Sequence, residues 1–190
     1  MKRFLFGLVT LLLFGCAPGQ THEVRTQAQT MDSAMPKPAS LPDLGPAPEL
    51  MNDTWLNVDA PLHLADLHGK VVIVEMWTLG CINCQHVMPS LKEWYAKYKD
   101  QGLVIIGNHF PEFSYEADLA NLKDAVARNE IEYPVAQDND GATWKAYRNN
   151  YWPALYLIDK QGHIRYVHIG EGSYQETEEN IKALLSEEYQ

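Results

Sequence analysis

Apolar residues run without interruption through Val71-Val72-Ile73-Val74, step over Glu75 and resume at Met76-Trp77. Such a run lacks the in-out alternation of a half-solvated strand and predicts a strand buried on both faces. Leu103 to Asn108 reads the same way, and Trp55–Val58, Leu62–Leu64 and Tyr133–Ala136 read as shorter strands. Helical spacing takes over from Cys81 to Lys99, with Pro89 bending the helix, and from Ala117 to Arg128, where Leu119, Leu122 and Val126 share one face. Ala142–Tyr147 predicts a short helix. Ala154–Ile158 and His163–Ile169 flank Asp159-Lys160-Gln161-Gly162, a hairpin in which Gly162 supplies the left-handed residue. Ser173 and Glu176 have capping-box spacing at the start of a last helix that turns Ile181, Leu184 and Leu185 inward. Strand-helix alternation followed by a hairpin and a closing helix predicts an α/β domain. Its central mixed sheet is flanked by helices on both faces, and a short N-terminal strand extends it.

Upstream of Asp53 this patterning stops. Residues 17–50 hold six of the chain's 11 prolines and no tryptophan. That composition buries too little apolar surface to offset ordering entropy and predicts a semi-extended tether. At the start, Lys2 and Arg3 precede the apolar stretch Phe4 to Phe14, which is shorter than the roughly 20 residues a spanning helix needs. Leu13-Phe14-Gly15-Cys16 resembles a bacterial lipoprotein signal, which implies that Cys16 becomes the lipidated first residue of the mature chain. An ordinary secretory signal, with Cys16 a spare thiol, is the other reading. Both place the chain outside the cytoplasm; the first anchors it by lipid to a bacterial membrane. The organisation expected is a signal over 1–15, a lipidated cysteine and tether over 16–52, and a folded domain over 53–190. No internal repeat is present.

The formal net charge of −10 excludes the basic footprint of a nucleic-acid binder. The three cysteines are Cys16, Cys81 and Cys84. Cys81-Ile82-Asn83-Cys84 follows a buried strand and opens a helix. There the free N–H groups and the helix dipole favour a thiolate on the first cysteine. A thiolate beside a second thiol is the minimum needed for disulfide exchange. A purely structural bridge is the competing reading, but so short a loop constrains the unfolded chain little. Cys81, nearer the helix start, is the expected attacking thiol and Cys84 the resolving one. Glu75, alone among apolar neighbours, is expected to be buried with a raised pKa, suited to moving a proton to or from Cys84. Nothing in these residues calls for a cofactor or a metal.

The element order, with C-x-x-C at the first strand-helix junction, resembles the thioredoxin fold. Glu75, Trp77, Pro89 and Pro153 match that family's buried acid, tryptophan, kinking proline and cis-proline by position. Within the superfamily, Trp77-Thr78-Leu79-Gly80-Cys81-Ile82-Asn83-Cys84 resembles the extracytoplasmic TlpA-like branch. Asn108-His109-Phe110-Pro111-Glu112-Phe113, Asn150 through Asp159 and Gly170 through Tyr174 are similar to the redoxin domain of DipZ-type thiol reductases. The resemblance implies a cis bond before Pro153, with Trp152 and Pro153 beside the cysteines as substrate-binding residues. Independently of the resemblance, Ile82 and Asn83, lying between the cysteines, are expected to tune their redox potential and to contact substrate. Glu112 follows the second strand on the edge where ligand sites gather; a solvated loop glutamate is the favoured reading there and a second acid near the thiols the other. The resemblance further implies a reductase of protein disulfides, supplied with electrons by a separate membrane protein; a monomer is the expected state. The alternatives are a disulfide oxidase or isomerase, a thiol peroxidase, and a copper carrier in which His86 or His109 supplies a further ligand. His86 is expected to point away from the cysteines, and Trp55, Trp94 and Trp144 to be core.

Overall fold

Backbone pairing of the two apolar runs organises the molecule. The computed structural model describes residues 41–188; the signal segment and Cys16 lie outside them. Val71–Trp77 forms β2, buried along its whole length, and Leu103–His109 forms β3, parallel to it with Glu75 opposite Gly107. Val135–Gln137 (β4) continues the parallel set, and Thr54–Leu56 (β1) closes that edge antiparallel. On the other side Ala154–Ile158 (β5) runs antiparallel to β2, and Ile164–Ile169 (β6) completes the hairpin. The order β1-β4-β3-β2-β5-β6 is the mixed sheet expected.

Alternation along β2 sorts the core into two layers. Ile73 and Trp77 face Ile82–Tyr98 (α1), Leu119–Arg128 (α2) and Tyr174–Ser186 (α4), packing with Val87, Leu91, Leu122 and Ile181. Val72, Val74 and Met76 face the other way, toward Trp144 on the short helix Ala142–Ala146 (α3) and toward Leu50 and Leu64. Cys81 caps α1, its sulfur accepting the Cys84 N–H at 3.1 Å, and Pro89 lies inside the helix. Asp118 caps α2 in the ordinary way, accepting from the Ala120 N–H at 2.8 Å. In the β5–β6 turn, Gly162 has φ +83°, and the Asp159 carboxylate accepts the Gln161 and His163 N–H groups and pairs with Arg165 at 2.8 Å.

Three expectations are corrected. The folded part does not wait for residue 53: Leu50 and Asn52 are buried, Pro46 bridges to His163, and Arg165 holds the Leu41 and Pro42 carbonyls. A proline-rich strand cannot make a core, but it can be tied to one through isolated anchors. Leu62–Leu64 is not a strand. Leu64–Leu67 is a 3-10 turn because the Glu49 carboxylate captures the Leu64 and Ala65 N–H groups. Ser173 does not cap α4 with its side chain. Its φ of +46° is left-handed, whereas a capping serine needs extended backbone.

Candidate active site

Strand order decides what surrounds the cysteines. β2 lies between β3 and β5, so its C-terminal edge meets the end of β3 at His109 and the start of β5 at Ala154, just after Pro153. The chain leaves β2 through Thr78-Leu79-Gly80 and enters α1 at Cys81, whose N–H returns to the Thr78 carbonyl at 3.2 Å. Cys81 and Cys84 are joined in a disulfide, with Cα atoms 5.2 Å apart. Cys81 is half-buried, Cys84 is fully buried, and Ile82 and Asn83 between them are exposed. One sulfur is therefore open to a partner and the other screened from it.

Glu75 shares the α1 side of the sheet with Ile73 and Trp77, the layer that also holds Cys84. It is fully buried. Its Oε2 takes a long hydrogen bond of 3.4 Å from the Tyr133 hydroxyl, and its Oε1 has no partner among the described residues. Burial pushes its carboxyl up to about 8, against a smaller downward pull from Tyr133. Room for this arrangement comes from Gly107 opposite: a Cβ there would meet Trp77 Nε1 at 2.9 Å and the Tyr133 ring at 3.3 Å. The same burial raises the Tyr133 phenol.

The Trp152–Pro153 peptide is cis, as the resemblance implied. Trp152 is half-buried, tilted against Trp144 at 4.6 Å and parallel to Phe110 at 5.9 Å between ring centroids, and Phe110 in turn stacks on Trp144 at 4.7 Å. It packs against both core layers. Trp144 is therefore more than filler, since it backs the aromatic wall beside the strand ends. His86 is exposed and bonded to Glu171 at 2.8 Å, turned away as expected.

Glu112 is not the second acid of this region. It is exposed, and the buried carboxylate is Glu116, one 3-10 turn further on in Ser114–Ala117. Glu116 accepts from the Thr78 hydroxyl at 2.6 Å, from the Glu112 and Phe113 N–H groups at 2.6 and 3.1 Å, and from the Gly80 N–H at 2.9 Å. Burial alone would raise its pKa, but these donors together hold it below the ordinary value. His109 lies within 3.4 Å of Thr78 across the same network, and burial pushes its imidazole down to about 4. Neither Glu116 nor Tyr133 was singled out from sequence. The only local signal for Glu116 is its three-residue offset from Phe113, the position from which an acid reaches back to a turn's first N–H.

A disulfide at a strand-helix junction, one sulfur half-buried and one sealed in the layer that holds a buried acid, on a six-stranded mixed sheet with cis-Pro153 at the same edge, defines a thioredoxin-like fold with a C-x-x-C disulfide site. Residues 45–167 match the AhpC/TSA family, and the chain belongs to it. It is 42% identical over 167 residues to Protein DipZ of Mycobacterium tuberculosis, covering 86% of this chain and 24% of that protein; the chain thus spans about a quarter of the length of that relative. It is 30% identical over 143 residues to the thiol-disulfide oxidoreductase YkuV of Bacillus subtilis, covering 75% of this chain and 95% of YkuV. A crystal structure of a thioredoxin-like superfamily protein matches with a TM-score of 0.70 at 32% identity, covering 75% of this chain and 97% of the other.

Proposed function

We propose that this chain reduces protein disulfides outside the cytoplasm, anchored to a membrane by lipid on Cys16 and drawing electrons from a membrane donor. The observation that carries the reading is the division of labour between the two sulfurs: Cys81 half-buried at the start of α1, Cys84 sealed beneath it on the layer that holds Glu75. In the reduced chain, the Cys81 thiolate attacks one sulfur of a substrate disulfide and releases the other as a thiolate. Cys84 passes its proton to the buried Glu75 carboxylate and attacks Cys81 Sγ, releasing the second substrate thiolate. The substrate gains two electrons and leaves as two thiolates, which take up from solvent the proton Cys81 lost on ionising and the one Glu75 returns after accepting it from Cys84; Cys81 and Cys84 lose two electrons and form their disulfide. Ile82 and Asn83, exposed between the cysteines, and Trp152 and Pro153, at the same edge of the sheet, are assigned to substrate contact.

Export and anchoring rest on the Lys2-Arg3 start, the apolar Phe4–Phe14 stretch and Cys16. Among the described residues no helix is long and apolar enough to cross a membrane.

The midpoint potential of the Cys81–Cys84 couple tests the direction. It is read by thiol alkylation and mass across a dithiol redox series. A value near −270 mV, the order of thioredoxin's, is expected for a reductase; a value near −120 mV, the order of a strong oxidant's, would make the chain a disulfide donor instead.

A further inference from the structure

A carboxylate that is buried, ionised and unused by the exchange chemistry sits against the loop that presents Cys81. Glu116 is completely buried, and its hydrogen bonds come from neutral donors: the Thr78 hydroxyl and the backbone N–H groups of Gly80, Glu112 and Phe113. These donors stabilise the charge without cancelling it, as in a backbone anion nest. An unpartnered carboxylate would cost several kcal/mol to bury, so this set of donors is what holds it ionised. Gly80, the residue immediately before Cys81, gives its N–H to Oε1, and a Cβ on Gly80 would collide with that same oxygen and lie 2.7 Å from the Tyr115 hydroxyl. The loop is therefore shaped to bring backbone onto a negative charge one peptide from the reactive cysteine.

The other titratable groups around it do not neutralise it. His109, across Thr78, is held uncharged by burial; the Tyr115 phenol is raised by burial and then by Glu116 itself; Glu112, just before the turn, is an exposed acid and offers no cation.

From this geometry we infer that Glu116 is a positioning residue that sets the reducing strength of the couple: it fixes the Thr78–Gly80 loop and places a permanent negative charge where it opposes the Cys81 thiolate. A like charge disfavours ionisation of the thiol. A couple whose reduced form gains little from a stabilised thiolate gives up electrons more readily, the opposite of a strong oxidant with a very acidic cysteine. The inference rests on Cys81 being the attacking thiol and deepens the reductase reading.

The test uses the full chain with Glu116→Gln, Glu116→Asp and Thr78→Val, and two readouts. These are the pH dependence of iodoacetamide alkylation of Cys81 in the reduced protein, and the midpoint potential. Glu116→Gln is expected to move the alkylation midpoint to lower pH. It should also make the couple more oxidising by up to about tenfold in equilibrium constant, which is about 30 mV. Glu116→Asp, with the charge drawn back by a methylene, should move both in the same direction by less. Thr78→Val removes the hydroxyl but leaves the carboxylate, and should stay within about twofold of the parent. Unchanged readouts in Glu116→Gln overturn the inference. So does a shift in Thr78→Val as large as in Glu116→Gln, because the loop's packing would then account for it. If Glu116→Gln does not fold, the Asp variant decides alone: a smaller shift in the stated direction supports the inference and no shift overturns it. Should Cys84 rather than Cys81 alkylate first in the parent, the assignment of the site fails, whatever Glu116 does.

Discussion

Cys84 and Glu75 are both sealed from water, and the role proposed for each has a measurable consequence. Replacing Cys84 by Ser removes the resolving sulfur while leaving Cys81 half-exposed. Mixed disulfides between Cys81 and its partners should then accumulate and be visible as reductant-sensitive adducts on non-reducing gels. A chain that forms none, with Cys81 still open to alkylation, would reverse the assigned roles. Glu75 makes a prediction about stability. In the unfolded chain it titrates near the ordinary value of about 4.3; in the folded oxidised protein it holds its proton to about 8. Between those values the folded state binds more protons than the unfolded, so stability falls as pH rises, by at most about 1.4 kcal/mol per pH unit, and levels off above the folded pKa. Glu75→Gln should remove that slope in urea titrations from pH 5 to 8 and slow disulfide exchange. A slope that survives the substitution belongs to other groups. The burial of Glu75 was legible from its apolar neighbours. Its hydrogen bond to Tyr133 was not, because that contact joins β2 to the segment before β4 and depends on the space left at Gly107.

At the scale of elements, the short α3 does more than its five residues suggest. Gly141 before it offers no side-chain cap. Asp138 substitutes, accepting from the Thr143 and Trp144 N–H groups at 3.2 and 2.7 Å and from Asn108 at 3.0 Å. Asp138 thereby ties α3 to β3 and sets Trp144 against Phe110 and Trp152. Asp138→Ala leaves three donors without their acceptor and should cost about 2–4 kcal/mol in denaturant unfolding. It should also raise KM for a disulfide substrate more than it lowers kcat if, as proposed, the wall that shifts meets the substrate rather than the sulfurs. A fall in kcat with KM unchanged would place Trp152 in the chemical step. Sequence pattern located α3 to within a residue, yet nothing local marks Asp138 as its cap, because it reaches the helix from outside the usual capping position.

Over the whole molecule, the segment before β1 is structural. Glu49 caps the Leu64–Leu67 turn, Leu50 fills the layer under β2, and Asn52 joins the Asn108–Thr143 network, donating at 3.0 Å and accepting at 2.7 Å. A chain beginning at residue 53 loses a buried leucine, worth about 1.5–3 kcal/mol. It also strands buried polar partners, worth about 1–3 kcal/mol. Its urea midpoint should fall accordingly below that of a chain beginning at residue 41. Equal midpoints for both would make residues 41–52 a passive wrapping.

The sequence by itself determined the main strands and helices, the mixed sheet, the cysteine pair and the burial of Glu75, though not the 3-10 turn at Leu64–Leu67 or the way α4 begins. Those properties follow from periodicity and from the cost of putting charge among apolar neighbours, which local sequence records. The tertiary structure alone decided that Glu116 and not Glu112 is the buried acid, that Tyr133 reaches Glu75, that Asp138 caps α3, and that a proline-rich stretch is bound to the domain. Each is a polar group finding a partner from a distant part of the chain. Hydrogen bonds of that kind depend on strand order and on the space left by glycines such as Gly80 and Gly107, and neither leaves a period in the sequence.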